Sequence, residues 1–315
     1  MHDGRIELNL GFMAHMLGDC VILPRSRTIL HHPSEKIVLC PGRDTKRNRV
    51  RPVHYRATET IPGVSISMVS GTHYYHFFFD QLLLLLHILT EVPVAHTATI
   101  LVSEHLLPFQ QAGYEILRRE FPGLRFRTVE TDVKLRCEKL IAACHTRDEY
   151  MINWFSPGHL LNHLGKSYRD HYHIQPRASQ RLIFISRKNQ KLRQLINENE
   201  LYEQLSPLGF ELVTPEKLPH SEQVSLFSSA RMVIGCSGAA LTNLLFCQAG
   251  TTVIELCPGA FYKPFWVGLS KQMGLNHHVI TSDHLKSHDH FTVDPGRVID
   301  IVQRAISPNS EPPGP

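Results

Sequence analysis

The stretch that most constrains the fold runs from Ala230 to Leu256, A-R-M-V-I-G-C-S-G-A-A-L-T-N-L-L-F-C-Q-A-G-T-T-V-I-E-L. Met232-Val233-Ile234 reads as a short buried strand and Gly235 to Gly238 as a turn of small residues. Ala239 to Gln248 reads as a helix that Ala249-Gly250 stops, and Thr252 to Leu256 as the next strand. That succession is a βαβ unit, whose turn offers backbone N–H groups at a helix N-terminus, a natural place for a phosphate. Ser237 can donate to a phosphate, Gly238 lets the backbone come close, and the helix beginning at Ala239 adds the positive end of its dipole. Glu255, read at the tip of the following strand, can hold a sugar hydroxyl. A turn that serves packing alone is the alternative. The pattern G-x-x-G-A-A departs from the dinucleotide fingerprint G-x-G-x-x-G, and no G-x-x-x-x-G-K-S/T occurs. Both facts argue against hydride transfer and P-loop nucleotide hydrolysis.

The rest of the chain alternates in the same way. Val64 to Val69 is a strand, and Ser70-Gly71-Thr72 caps a long, nearly all-apolar helix from His73 to about Thr90. Strands at Thr99 to Ser103, Leu124 to Val129 and Leu140 to Cys144, with an amphipathic helix at Pro108 to Phe121, complete one α/β half. Residues before about 60 read as irregular or β-rich, with Arg43 to Arg56 a solvated loop or an anion-binding one. A helix at His159 to His173 leads to a second half. Its strands are Leu182 to Ser186, Phe210 to Val213 and His278 to Ile280. Its helices are Glu198 to Leu208, Ser221 to Ser229 with Ser221 as cap, Pro264 to Gly274, and Val293 to Ser307 opened by Asp294-Pro295. The expected division is residues 1–174, 175–307 and a disordered tail at 308–315, with the ligand cleft between the halves.

Composition excludes several classes. A chain of 315 residues with 42% hydrophobic and 20% charged residues is globular, and a net charge of +4 is too small to argue for nucleic acid. Seven cysteines without a C-x-x-C pair read as reduced, cytosolic usage. The N-terminal residues do not read as a signal peptide, and the most membrane-like run, Phe77 to Leu89, is interrupted by Asp80, Gln81 and His87. The expected protein is soluble, meeting any lipid-borne acceptor as a peripheral visitor.

Three further clusters carry chemistry. Ile185-Ser186-Arg187-Lys188, with Arg193 beyond, places cations at the carboxyl end of a strand, where open α/β sheets bind ligands; Arg187 can chelate a diphosphate and Arg193 add a second cation. The alternative is an exposed basic loop. In His73-Tyr74-Tyr75-His76-Phe77-Phe78-Phe79-Asp80, His76 and Asp80 lie one helical turn apart. They read as a base for an acceptor hydroxyl, as metal ligands with His73, or as members of a core helix. Asp283-His284 and His288-Asp289-His290 resemble a metal cluster but read as a surface loop. No D-x-D occurs, so the carboxylate pair that holds a metal-bound sugar nucleotide is missing, and Ser237 lacks a G-x-S-x-G context.

Taken in order, Ile185-Ser186-Arg187, Arg193, Asn197-Glu198, Leu208-Gly209-Phe210, Glu222 to Phe227, Gly235 to Asn243 with Phe246, and Val253 to Leu256 resemble glycosyltransferase family 61. His73 to Asp80 is similar to the same family's aromatic-histidine-aspartate segment. Where the family has a histidine before Gly-Ala-Gly, this chain has Ser237-Gly238-Ala239-Ala240. The resemblance implies a GT-B fold of two facing Rossmann-like domains and inverting, metal-independent transfer from a nucleotide diphosphate sugar, UDP-linked, to a glycan or glycolipid hydroxyl. It also implies a bacterial cytoplasmic enzyme of surface polysaccharide synthesis, peripheral at the inner membrane, with no cofactor and no metal. Asp80, or His76 oriented by Asp80, would be the base. Ser186, Arg187, Arg193, Ser237, Gly238 and Ala239 would hold the diphosphate, Asn243 would brace the turn, and Glu255 would hold the ribose hydroxyls. A non-catalytic sugar-nucleotide-binding module and a His/Asp metalloenzyme are the rival functions.

Overall fold

The computed structural model describes residues 4–8, 12–23, 28–31, 36–39, 57, 59–68, 73–130, 133–145, 147–148, 151–152, 158–175, 178–188, 190–259, 262, 264–282 and 290–306. The expected cap at 70–72, the arginine-rich run at 43–56, the histidine-rich run at 283–289 and the tail at 308–315 lie outside them. The chain forms two compact units, Met1–Ser156 and Pro157–Pro315. The helix at Gly158–His171 packs within the second unit, so the division falls ahead of the boundary expected after residue 174.

The first unit is built on an eight-stranded mixed sheet. β1 (Gly4–Leu8), β2 (Phe12–Leu23), β3 (Thr28–His31) and β4 (Lys36–Leu39) are joined by antiparallel pairings. They extend a parallel half made of β5 (Glu59–Ser67), β6 (Thr99–Ser103), β7 (Arg125–Val129) and β8 (Leu135–His145), with β2 antiparallel to β8. Parallel strands need helical crossovers on their faces and so read as continuous apolar runs. Ile100-Leu101-Val102 of β6 is such a run, and all three are buried. The crossover from β5 to β6 is a helical run of α1 (Tyr74–Phe77), a π-helical turn (Phe78–Leu82) and α2 (Leu83–Glu91). That from β6 to β7 is α3 (Pro108–Glu120), with Gln110 Oε1 accepting from the Leu107 N–H at 2.9 Å. A two-stranded ladder, β9 (Arg147–Asp148) with β10 (Met151–Ile152), completes the unit.

The second unit holds a five-stranded, all-parallel sheet. In chain order it comprises α4 (Gly158–His171), β11 (Arg181–Ile185), α5 (Glu198–Leu205), β12 (Phe210–Val213), α6 (His220–Ser228) and β13 (Ala230–Cys236). A 3₁₀ segment (Ala239–Phe246), β14 (Thr252–Pro258), α7 (Phe265–Met273), β15 (Asn276–Ser282) and α8 (Pro295–Ile306) follow. One face buries Phe184, Met232, Ile234, Ile254, Leu256 and Ile280 against Leu201 and Leu205 of α5 and Val298 and Val302 of α8. Asp294 Oδ1 accepts from the Gly296 N–H at 2.9 Å as α8 starts.

Two local expectations are corrected. Helix α6 begins one residue earlier than expected, its N-cap position is Pro219 and no side chain caps it, so Ser221 is inside the helix. The segment after Gly238 is 3₁₀ rather than α over all eight of its residues. Helix α4 packs closely against its C-terminal end. A Cβ on Gly165 would strike the Leu245 carbonyl oxygen, and Arg169 Nη1 donates to the Phe246 carbonyl at 3.2 Å, one of the end carbonyls that the segment itself leaves without a partner.

Candidate functional site

The strand order β12-β11-β13-β14-β15 fixes where a ligand can enter the second unit. The chain leaves β11 toward one edge, then returns past it to β13 and proceeds toward the other edge. The carboxyl ends of β11 and β13 therefore flank the switch point at which open α/β sheets bind their ligands. Ile185 pairs with Gly235 at the end of that register. Beyond it lie Ser186-Arg187 on one side and Ser237-Gly238-Ala239 on the other.

The two sides meet. A Cβ built on Gly238 would fall on Arg187 Nη1, with Cζ 3.1 Å away, so the guanidinium lies against the bare α-carbon. Arg187 Nε donates to the Leu192 carbonyl at 3.1 Å, which steers the head group. Burial lowers the pKa of Arg187. Arg193 is pushed down to about 10, by burial first and by the charge of Arg187 second. Two partly buried cations, one of them disfavoured by the charge of the other, make a place where an anion relieves the cost of both. Arg193 also has φ of 56°, a conformation that non-glycine residues adopt at a cost of order 1 kcal/mol.

Around this pair the other expected residues take different positions. Ser186 Oγ donates to Glu198 Oε1 at 2.6 Å, and the Arg187 N–H donates to Glu198 Oε2 at 2.7 Å. The Ser186 proton is thus committed to a carboxylate. Ser237 is buried and its N–H donates to the Leu256 carbonyl at 2.8 Å, so its amide belongs to the sheet. The first bond of the following turn runs from the Leu241 N–H to the Gly238 carbonyl, and the N–H groups of Gly238, Ala239 and Ala240 come before it. Asn243 Nδ2 donates to the Ala240 carbonyl at 3.1 Å and to Gln223 Oε1 at 3.2 Å, tying the turn to α6. Glu255, expected at a strand tip, sits inside β14 and is fully buried. Its Oε2 lies 3.2 Å from His277 Nε2, His277 Nδ1 lies 2.7 Å from Ser270 Oγ, and Oε1 has no hydrogen-bond partner among the described residues.

In the first unit, His76 Nδ1 and Asp80 Oδ2 are 2.5 Å apart. Asp80 lies in the π-helical turn, where the Leu83 N–H reaches back to the Phe78 carbonyl. Such turns inside α-helices occur frequently at functional sites. The His73 ring lies tilted against that of His76, centroids 4.6 Å apart, and its pKa is lowered by burial first and by His76 second, against a raising effect of Asp80. Burial, then the Asp80 charge, raises Tyr75. Among the described residues no group of three or more His, Cys, Asp or Glu could hold a metal ion. His290, from the expected histidine cluster, accepts from the Gln194 N–H through Nδ1 at 3.1 Å.

Sequence reasoning gave no role to Glu198, Leu192, Ser270 or His277. Glu198 was visible as a residue of the family resemblance beyond the Ser186-Arg187 cluster and as an acid opening a helix, neither of which shows what its carboxylate holds. The others carry no local signal, because their partners lie across the sheet or across a loop.

Parts of the chain are similar to known sugar transferases. A stretch of 143 residues is 29% identical to the rice (Oryza sativa subsp. japonica) alpha-1,3-arabinosyltransferase XAT2, covering 36% of this chain and 24% of that protein. Another of 87 residues is 34% identical to the EGF domain-specific O-linked N-acetylglucosamine transferase of Drosophila melanogaster, covering 26% of this chain and 16% of that protein. The chain thus spans about a quarter or less of the length of these relatives. The family model described as Glycosyltransferase 61 matches residues 74–254, a span that holds the His76–Asp80 pair, both arginines, Glu198 and the Gly238 turn. The chain belongs to the glycosyltransferase 61 family.

Proposed function

We propose that the protein transfers a sugar, with inversion, from a nucleoside diphosphate donor, UDP-linked, to a hydroxyl of a glycan or glycolipid. The observation that carries this reading is the Arg187 guanidinium lying against Gly238 at the switch point of the second unit, with Arg193 beside it. In the reaction the acceptor oxygen attacks the anomeric carbon and its proton passes to Asp80, or to His76 held by Asp80. The bond from that carbon to the diphosphate breaks, and the leaving oxygens keep the electron pair. Arg187, Arg193 and the N–H groups of Gly238 and Ala239 stabilise the developing charge, a service that a D-x-D-bound cation gives elsewhere. Ser186 acts by shaping the strand end and Asn243 by bracing the turn. Ser237 contributes its hydroxyl. Glu255 serves the ribose only through Oε1, the oxygen without a hydrogen-bond partner among the described residues.

The doubly wound sheet of the second unit supports its assignment as the donor half of a GT-B arrangement, residues 175–307 in the expected division. Bacterial surface polysaccharide synthesis, in the cytoplasm with peripheral contact at the inner membrane, rests on resemblance. Among the described residues no helix is long and apolar enough to cross a membrane.

The test is a thermal-shift screen of nucleotides and nucleotide sugars. UDP should raise the melting temperature of the wild type and not that of Arg187→Ala. Asp80→Asn should keep that response while losing transfer. A wild type that no nucleotide stabilises refutes the reading. Full response to UDP without turnover in the wild type favours the non-catalytic binding module, for which the serine at position 237 speaks.

A further inference from the structure

The polar atoms of Glu198 form the most complete unexplained contact near the site. Its carboxylate is 3% exposed and is held at the first residue of α5. It spans two consecutive residues of the strand end, taking the Ser186 hydroxyl on one oxygen and the Arg187 N–H on the other. Both bonds are charge-assisted, the stronger class of hydrogen bond. The loop between these anchors is fastened again at its far end. The Ile196 N–H donates to the Phe291 carbonyl at 2.8 Å, the Phe291 N–H donates to the Gln194 carbonyl at 2.9 Å, and Asn197 Nδ2 donates to the Val293 carbonyl at 2.8 Å. Arg187 and Arg193 both ride on this loop.

We infer that Glu198 is a positioning residue for the diphosphate: its two-pronged grip on Ser186 and Arg187 sets the backbone from which the Arg187 guanidinium reaches Gly238. The inference rests on the reading of this switch point as the donor-phosphate site. A guanidinium stabilises a diphosphate through fixed, forked geometry, so rotating its backbone by one loosened bond forfeits the match even with the charge retained. Glutamine at 198 would keep both bonds, its amide oxygen taking the Arg187 N–H and its N–H₂ donating to a rotated Ser186 hydroxyl. Methionine keeps about the length of the side chain and offers neither group an oxygen, so both prongs are lost.

The experiment is a calorimetric titration of UDP into the full chain as wild type, Glu198→Met, Arg187→Ala and the double variant. Glu198→Met should bind UDP ten- to a hundredfold more weakly, and the double variant no more weakly than Arg187→Ala alone, because both changes remove one contact. Losses that multiply in the double variant, or a Glu198→Met protein with wild-type affinity, overturn the inference, since a role in packing alone predicts one or the other. Should Glu198→Met fail to fold, Ser186→Ala decides. It removes one prong, and a three- to tenfold loss that vanishes in the Arg187→Ala background is expected, whereas unchanged affinity overturns the inference. A wild type that binds no UDP refutes the donor-site reading itself, a result distinct from any of these.

Discussion

At the scale of single residues, the site depends on an atom that is missing. Gly238 has φ of 169° and ψ of 179°, an extended conformation open to any residue. What glycine provides here is space: a methyl group would land on Arg187 Nη1, the far end of a flexible side chain, and not on backbone. Gly238→Ala should therefore fold, at a cost of about 1 kcal/mol, the lower end of the range for a small-to-large change at a buried contact. It should lose about tenfold in UDP affinity, or ~1.4 kcal/mol, because the guanidinium must swing aside. Chemical denaturation and UDP titration on the same preparation check both halves. Equal affinity in the two proteins would mean that Arg187 reaches its ligand from some other position. The presence of Arg187 and Gly238 at one site was legible in the sequence through their strand-end positions. Their contact was not, because it depends on which strands become neighbours.

At the scale of elements, the less regular segments carry the information. The strands at Thr99–Ser103 and Phe210–Val213 coincide with their expected bounds, the first as a buried apolar run and the second as a short apolar-polar alternation after Gly209, both local signals. The π-helical turn at Phe78–Leu82 and the 3₁₀ segment at Ala239–Phe246 were read as plain helix. Composition records helix-forming tendency but not whether a bond closes on the third, fourth or fifth residue, which tertiary partners decide. Helix α4 meets α6 at one buried histidine. Its Tyr168 packs edge-on against His220, and Tyr172 Oη lies 2.9 Å from His220 Nδ1, seating α4 on α6. Burial, with the His171 charge second, pushes His220 down to about 3. The unfolded chain takes up this proton near pH 6.5 and the native chain refuses it. Stability from this residue is thus full above pH 6.5 and falls by up to ~1.4 kcal/mol per unit as the pH drops toward 3. Urea unfolding at pH 7 and pH 4.5 should differ by about 2 kcal/mol more in the wild type than in His220→Gln, which keeps a polar partner for Tyr172 but does not titrate. Identical pH responses would remove His220 as the source.

At the scale of the whole molecule, the division into Met1–Ser156 and Pro157–Pro315 separates the proposed chemistry as well as the fold. The alternation of strands and helices announced two α/β halves, and the second is the doubly wound sheet that alternation predicts. The first departs from it through β1 to β4, whose antiparallel pairings extend the sheet beyond its parallel half. Short strands near a chain start offer no signal of which partner they will add to. Every residue assigned to the diphosphate, together with Glu198 and the loop fastened at 290–293, belongs to the second unit, whereas the His76–Asp80 pair belongs to the first. The second unit has its own core on both faces of its sheet, with Phe184, Phe227, Phe246 and Phe291 fully buried, as an independently folding domain requires. A fragment of residues 157–315 should therefore fold cooperatively and bind UDP within about tenfold of the affinity of the full chain, ~1.4 kcal/mol, while catalysing no transfer. Circular dichroism and calorimetry on the fragment read the first two properties, and a donor-turnover assay reads the third. A folded fragment that fails to bind UDP would move part of the donor site onto the first unit, and transfer by the fragment alone would dismiss Asp80 as the base.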